Sequence, residues 1–120
     1  MFSWLAKLFQ PRFHNIDVAS VKLRKKEGWD PFIIDVRSIS EARGSGVIPG
    51  TKFVQPHSKI MQKSRKIPSE GDILIYCQSG MRSKSAINTL LANGYDGQRI
   101  YNLSGGMMAF QRSGSKTKKF

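Results

Sequence analysis

Two short runs of apolar residues are the strongest strand candidates in the chain. Residues 32–36 read FIIDV and residues 73–77 read ILIYC, and both runs are rich in β-branched side chains. A continuous apolar run of this length, bounded by turn residues, is typical of a strand that is covered on both faces of a parallel sheet. Residues 53–54 and 100–103 are weaker candidates. The pattern therefore predicts at least four strands.

Helical spacing of apolar residues begins before the first of these strands. Asp17 is placed to cap a helix over about residues 18–27. Val18, Val21 and Leu23 would form the apolar face of this helix. We expect that face to pack against the sheet.

The most regular helix is predicted for residues 82–93, directly after the second strong strand. Its apolar stripe comprises Ala86, Ile87, Leu90 and Leu91. Shorter helical segments are predicted at residues 41–46, at residues 57–63 and after Gly105. Because strands alternate with helices, we expect an α/β fold with a central, mostly parallel sheet and helices on both faces. In such folds the ligand site lies beyond the carboxyl ends of the strands.

The length of the chain fits one domain with extensions at both ends. With 120 residues and 13.5 kDa it would bury roughly two-thirds of its surface on folding. No apolar run approaches the roughly 18 residues that a spanning helix needs. We divide the chain into an amphipathic extension at residues 1–14, a domain at residues 15–112 and a basic tail at residues 113–120, which we expect to be mobile.

A net charge of +12 raises the encounter rate of the protein with anions. The candidate partners are a small anionic substrate, an acidic protein, nucleic acid or an anionic membrane, and a basic surface without a dedicated partner is the alternative. No nucleic-acid-binding motif appears, so we expect no specific binding to nucleic acid. Residues 1–10 could lie on a membrane surface, but docking on the domain or fraying is the favoured interpretation. A single cysteine and no secretory signal predict a cytoplasmic location.

Cys77 is the candidate for chemistry, because it ends a buried strand and is followed by a glycine-containing loop and a helix. The sequence of residues 77–83 is CQSGMRS. Free amides of the loop and of the first helical turn could surround the sulfur, and Arg82 and Lys84 add positive charge. These groups should lower the pKa of the thiol and make it a nucleophile. A buried, inert cysteine is the alternative.

Three separated segments resemble the signatures of one family. Residues 34–37 (IDVR), followed by Glu41 and by residues 46–50 (GVIPG), resemble D-V-R through G-H-I-P-G. Residues 77–83 resemble the active loop C-x-x-G-x-R-S, and residues 103–110 (LSGGMMAF) resemble the closing L-x-G-G-x-x-A-W/F. The family is that of the single-domain rhodaneses, which are thiosulfate sulfurtransferase-like proteins.

The resemblance covers about residues 15–111, with departures confined to the turn after the first signature. Val47 stands where the family usually has His, and Ala42 stands where an aromatic residue is usual. One extra residue lies between Glu41 and Gly46. The catalytic loop itself matches the family pattern.

The resemblance implies a ping-pong transfer of sulfur in which Cys77 becomes a persulfide. The donor would be a small anion such as thiosulfate, and the acceptor would be a thiol, a sulfur carrier or, in vitro, cyanide. No cofactor and no metal are implied. The residues of the active loop would be Gln78, Ser79, Gly80, Met81, Arg82 and Ser83. Asp35, Arg37 and Glu41 would support the site, and Arg82 would either hold the donor or form a structural ion pair.

Two other functions compete with sulfur transfer. A cysteine-dependent phosphatase needs five residues between Cys and Arg, and here Arg82 follows after four, so phosphate should fit poorly. A non-catalytic binding or regulatory module for an acidic partner protein is the second alternative. His14 and His57 are expected at the surface, outside the chemistry.

Overall fold

A single five-stranded parallel sheet organises the protein in a computed structural model that describes residues 10–120. The interpretations given above for residues 1–10 concern a segment that lies, except for Gln10, outside the described residues. The elements follow in the order β1 (His14–Ile16), α1 (Val18–Lys26), β2 (Phe32–Asp35), α2 (Ile39–Ser45), β3 (Thr51–Val54), a 3₁₀ segment (His57–Lys66), β4 (Ile73–Tyr76), α3 (Met81–Ala92), a 3₁₀ turn (Gly97–Arg99), β5 (Ile100–Leu103) and α4 (Gly106–Arg112).

The strand order is β1-β5-β4-β2-β3, so that β4 lies at the centre of the sheet. The register places Ile75 of β4 beside Ile34 of β2 on one side and beside Asn102 of β5 on the other. All pairings are parallel, and the carboxyl ends of the strands therefore meet at one edge. That edge is where a ligand site is expected in this type of fold.

Two apolar layers cover the two faces of the sheet. The layer under α3 and the 3₁₀ segment contains Ile34, Ile60, Ile75, Ala86, Ile87 and Leu90. The layer under α1 and α4 contains Val18, Val21, Ile33, Leu74, Leu103 and Met107. The predicted α/β fold with helices on both faces is confirmed. Within residues 10–120, no helix is long and apolar enough to cross a membrane.

Helix α1 follows the prediction in its bounds but not in its whole apolar face. The Asp17 carboxylate accepts a hydrogen bond from the Ser20 amide at 2.7 Å and caps the helix. Val18 and Val21 are buried, whereas Leu23 is 60% exposed. The prediction for Leu23 was wrong because this position points away from the sheet in a nine-residue helix.

Two backbone pairings involve residues of the predicted extension and of the predicted tail. Strand β1 was not predicted, and it begins at His14, within the predicted extension. At the other end, Lys118 and Val47 exchange two backbone hydrogen bonds of 2.8 Å. Backbone pairing thus places Lys118, within the predicted tail, on the turn after α2. The mobility of the tail stays a prediction.

Candidate active site

Cys77 lies directly beyond the end of β4, in a four-residue turn that leads into α3. Gly80 ends this turn with φ 105°, a left-handed conformation that side chains with a Cβ rarely adopt. The turn therefore depends on glycine at this position. It delivers Cys77 to the carboxyl edge of the central strand, in front of the first turn of α3.

The Cys77 sulfur is fully buried and surrounded by hydrogen-bond donors. The Gly80 amide donates to Sγ at 3.0 Å, and the Ser83 hydroxyl lies 3.4 Å from Sγ. Burial by itself would raise the pKa of the Cys77 thiol. Hydrogen bonds from Ser83 and from the amides of Ser79 and Gly80 outweigh that effect, so that the pKa lies below its ordinary value. The arrangement favours a thiolate.

The amino end of α4 closes the loop from behind. The Met107 amide donates to the Cys77 carbonyl at 2.9 Å, and the Met108 amide donates to the Gln78 carbonyl at 3.0 Å. A Cβ on Gly106 would lie 2.4 Å from the Cys77 carbonyl oxygen, closer than any side chain tolerates. The glycine pair of the third sequence segment thus serves to bring a helix against the active loop.

Arg82 is held in a bidentate ion pair with Glu41. Its two terminal nitrogens donate to the two carboxylate oxygens at 2.6 and 2.8 Å, and the side chains are 36% and 33% exposed. Glu41 also accepts from the Ser38 amide and completes the capping box of α2. The hydrogen bond from Arg82 is the main reason that the pKa of Glu41 falls to about 2. Of the two roles open to Arg82, the geometry shows the ion pair.

Asp35 and Arg37 form a second ion pair, which is completely buried at the end of β2. An Arg37 terminal nitrogen donates to Asp35 at 2.8 Å and to the Gly46 carbonyl at 2.6 Å, while the other donates to Ser45 at 2.7 Å. The same side chain lies 3.4 Å from the Gln78 side-chain oxygen. Arg37 therefore ties together the end of β2, the end of α2 and the active loop.

The remaining loop residues lie at the mouth of the site. Ser79 is exposed and Met81 is 71% exposed, whereas Gln78 is half-buried. A small cavity of about 120 Å³ adjoins the loop. It is lined by Ser79, Gly80, Met81, Lys84, Asn102, Ser104 and Gly105. Cys77 itself does not line this cavity.

Sequence reasoning missed Asn102, which lies behind the loop on β5. Its side chain accepts a hydrogen bond from Ser83 at 2.5 Å, and it is 1% exposed. A buried asparagine within an otherwise apolar strand, in the run IYNL, was the available signal.

The histidines lie outside the loop. His14 is half-buried and stacks on Tyr101 with 4.6 Å between ring centroids, and His57 is half-buried at the start of the 3₁₀ segment. Among residues 10–120 no cluster of three or more His, Cys, Asp or Glu side chains could hold a metal ion.

Comparison with known proteins gives one consistent result. Residues 17–113 match the family model described as Rhodanese-like domain. A protein named sulfurtransferase from Allochromatium vinosum is 35% identical over 101 residues, which are 84% of this chain and 91% of that protein.

Solved structures agree with the sequence comparison. A rhodanese-like domain protein from Staphylococcus aureus superposes with a TM-score of 0.74 at 29% identity, over 88% of this chain and 99% of that one. The rhodanese-like domain of the Alr3790 protein from Anabaena superposes with a TM-score of 0.75 at 23% identity, over 92% and 81% of the two chains. The second likeness bears on the fold alone.

Proposed function

The chain belongs to the family of rhodanese-like domains, and from this membership we propose that it transfers sulfane sulfur through a persulfide on Cys77. The observation that carries the proposal is the set of donors around the Cys77 sulfur. The Gly80 amide donates to the sulfur at 3.0 Å and the Ser83 hydroxyl lies within reach of it, so that negative charge there can be stabilised without a general base. The family supports sulfur transfer in general, and the donor, the acceptor and the intermediate are our proposal.

In the first half-reaction the Cys77 thiolate attacks the outer sulfur of a small anionic donor such as thiosulfate. A bond forms between Sγ and that sulfur, the sulfur–sulfur bond of the donor breaks, and sulfite leaves with the electron pair. The product is a persulfide whose terminal sulfur carries the negative charge. Backbone amides that line the loop are suited to stabilise this charge.

In the second half-reaction a nucleophilic acceptor attacks the terminal sulfur of the persulfide. The acceptor would be a thiolate, a sulfur carrier or, in vitro, cyanide. A bond forms between the acceptor and the terminal sulfur, and Cys77 leaves as a thiolate. Since Cys77 is the only cysteine of the chain, the persulfide has no internal thiol to resolve it.

The surroundings of Arg82 and Ser83 argue against phosphate chemistry. A phosphatase loop would place an arginine at the position of Ser83, but this residue is buried between Cys77 and Asn102. The neighbouring Arg82 is already paired with both oxygens of Glu41. Within residues 10–120, Arg82 and Arg37 beside the loop are therefore both engaged by carboxylates and are not free to hold a tetrahedral anion.

One observation favours the alternative of a non-catalytic module that binds an acidic partner. Cys77 is 0% exposed, so a donor reaches the sulfur only if the loop opens at its exposed residues Ser79 and Met81. If the loop stays closed, the basic surface of the domain is the feature left for function. The two proposals differ in whether the thiol can be modified.

The deciding experiment is an intact-mass measurement after incubation with thiosulfate, with the Cys77→Ser variant alongside. We expect the mass of one added sulfur atom, its absence in the variant and its removal by cyanide. No gain in mass, together with alkylation of Cys77 by iodoacetamide, would contradict thiosulfate as the donor. No gain and no alkylation would contradict sulfur transfer and leave the binding module.

A further inference from the structure

A continuous chain of hydrogen-bonding side chains connects the Cys77 sulfur with the molecular surface. Ser83 Oγ lies 3.4 Å from Cys77 Sγ, and the Ser83 hydroxyl donates to Asn102 Oδ1 at 2.5 Å. Asn102 Nδ2 donates in turn to Asn15 Oδ1 at 3.0 Å. Cys77, Ser83 and Asn102 are buried, whereas Asn15 is exposed on the edge strand β1.

The hydrogen-bond directions in this chain fit a neutral thiol. Ser83 has one hydroxyl proton, and it goes to Asn102 Oδ1, an atom that can only accept. Ser83 therefore offers a lone pair to the sulfur and can receive the S–H proton of Cys77. A thiolate has no proton to give and needs Ser83 as a donor. In this arrangement the Gly80 amide already donates to the sulfur, and Ser83 has to reverse its direction before it too can support the thiolate.

We infer that Asn102 is a positioning residue that lets Ser83 change from acceptor to donor when the Cys77 thiol ionises. A half-turn of the Asn102 carboxamide exchanges two atoms of nearly equal size and brings Nδ2 to Ser83. Ser83 can then donate to the sulfur. Asn102 Oδ1 now faces Asn15, whose exposed amide can turn to offer its own N–H group. The inference rests on the proposed function, in which the Cys77 thiolate reacts.

Rotation of the amides moves no proton along the path from Cys77 to Asn15, because it only exchanges donors for acceptors. The proton of the thiol leaves to a base in the solvent. The path provides a second stable set of hydrogen bonds, in which every buried polar atom keeps a partner. A buried donor or acceptor left unpaired would oppose ionisation.

Charged groups near the sulfur act through space in both arrangements. They are Arg82 with its partner Glu41, Lys84 on α3, and the Asp35–Arg37 pair at the end of β2. The neighbouring titratable groups are Tyr76, which is neutral because burial raises its pKa, and His14 and Asp17, which stand close to Asn15 in the sequence. Only the path from Ser83 through Asn102 to Asn15 depends on which amide atom faces which neighbour. A test has to separate this path from the effect of charge.

The test is a titration of Cys77 in the full chain labelled with [3-¹³C]cysteine, which gives one resonance because the chain has one cysteine. Asn15→Asp leaves only acceptors at the outer end of the path, so it should hold Asn102 in the observed direction. The Ser83 hydroxyl would then continue to donate to Asn102 Oδ1 and could not donate to the sulfur. We expect the pKa of the Cys77 thiol to rise by about one unit, the size of one hydrogen bond to a charged group.

The same substitution in a Ser83→Ala background measures the through-space effect of the new charge alone. We expect a shift there of about 0.2 units, since exposed charges are screened. Equal shifts in the two backgrounds would overturn the inference. Should Ser83→Ala fail to fold, Asn102→Leu provides a second background in which the path is broken.

The readout is independent of sulfur transfer because no sulfur donor is present during the titration. If the two shifts differ and no persulfide forms with thiosulfate, the role of Asn102 stands and the proposed donor fails. If a persulfide forms and the two shifts are equal, sulfur transfer stands and the role of Asn102 fails.

Discussion

At the scale of single residues, an ion pair between a carboxylate and an arginine occurs twice near the site, and the two pairs differ in their exposure to solvent. Asp35–Arg37 has no exposure to solvent, whereas Glu41–Arg82 is about one-third exposed. Removing one partner of a buried pair leaves an uncompensated charge in a medium that solvates it poorly. Removing one partner of a partly exposed pair leaves a charge that water can reach. The two pairs should therefore respond differently to the same substitution.

We expect Asp35→Asn to lower the free energy of unfolding by about 3–5 kcal/mol, because Arg37 would remain buried without a counter-charge. Glu41→Gln should lower it by about 1 kcal/mol only. Urea unfolding of the two variants beside the unchanged protein measures both values. Equal losses would contradict the assignment of the two pairs to different surroundings.

The lowered pKa of Glu41 also defines a range of pH in which the free energy of unfolding depends on this residue. A carboxyl whose pKa falls to about 2 on folding contributes stability that is complete above its ordinary value, near 4.5. That contribution is lost as the pH falls from about 4.5 towards 2. In Glu41→Gln we expect a shallower decline of the free energy of unfolding across this window. Urea unfolding at pH 5, 4 and 3 checks it, and identical slopes for both proteins would contradict it.

At the scale of elements, the amino end of α4 and the active loop depend on each other through backbone contacts. The close approach of Gly106 to the Cys77 carbonyl leaves no room for a methyl group. The amides of Met107 and Met108 would lose their partners if α4 moved away. A change at the start of α4 should therefore reach the Cys77 loop, although α4 contributes no side chain to the sulfur's hydrogen bonds.

We expect Gly106→Ala to destabilise the protein by more than about 2 kcal/mol and to slow persulfide formation at Cys77, because α4 must shift. Gly44→Ala is the matched control. Gly44 lies within α2 with open space around it, and alanine should stabilise a helix there by about 0.5–1 kcal/mol. Thermal unfolding and the rate of mass gain with thiosulfate compare the two variants. A harmless Gly106→Ala would contradict the tight approach.

The sequence predicts a helix or strand well where its apolar pattern is strong. It predicts an element poorly where that element forms only because another element pairs with it. The runs at residues 32–34 and 73–76 are apolar throughout, so the sequence itself indicates strands that are buried on both faces. Strand β1 has only three residues, HNI, and it exists because β5 offers it a pairing edge. The role of Asn102 is hidden for the same reason, since its partners come from β1 and α3.

At the scale of the whole molecule, the end of the chain returns to the turn between α2 and β3. Lys118 pairs with Val47 through backbone atoms alone. The neighbouring Gly46 has no room for a Cβ, which would lie 2.7 Å from the Lys118 carbonyl oxygen. The Gly46 carbonyl also accepts from Arg37, so the end of the chain covers the turn that supports the buried ion pair.

We expect a chain that stops after Ser115 to lose about 1–3 kcal/mol of stability, because two backbone hydrogen bonds disappear and Val47 is uncovered. Lys118→Ala should be nearly neutral, since the side chain makes neither bond. Urea unfolding distinguishes the two variants. A costly Lys118→Ala, or a harmless truncation, would contradict docking through the backbone.

The position of Asn102 and Gly106 in the last fifth of the chain has a consequence for biosynthesis. Cys77 leaves the ribosome before the strand that carries Asn102 and before the helix that closes the loop. Until those residues emerge, the nascent thiol lacks the hydrogen bonds of the finished loop and has the low reactivity of an ordinary cysteine. The finished loop is therefore a product of long-range folding, because Asn102 and Gly106 follow Cys77 by 25 and 29 positions in the chain.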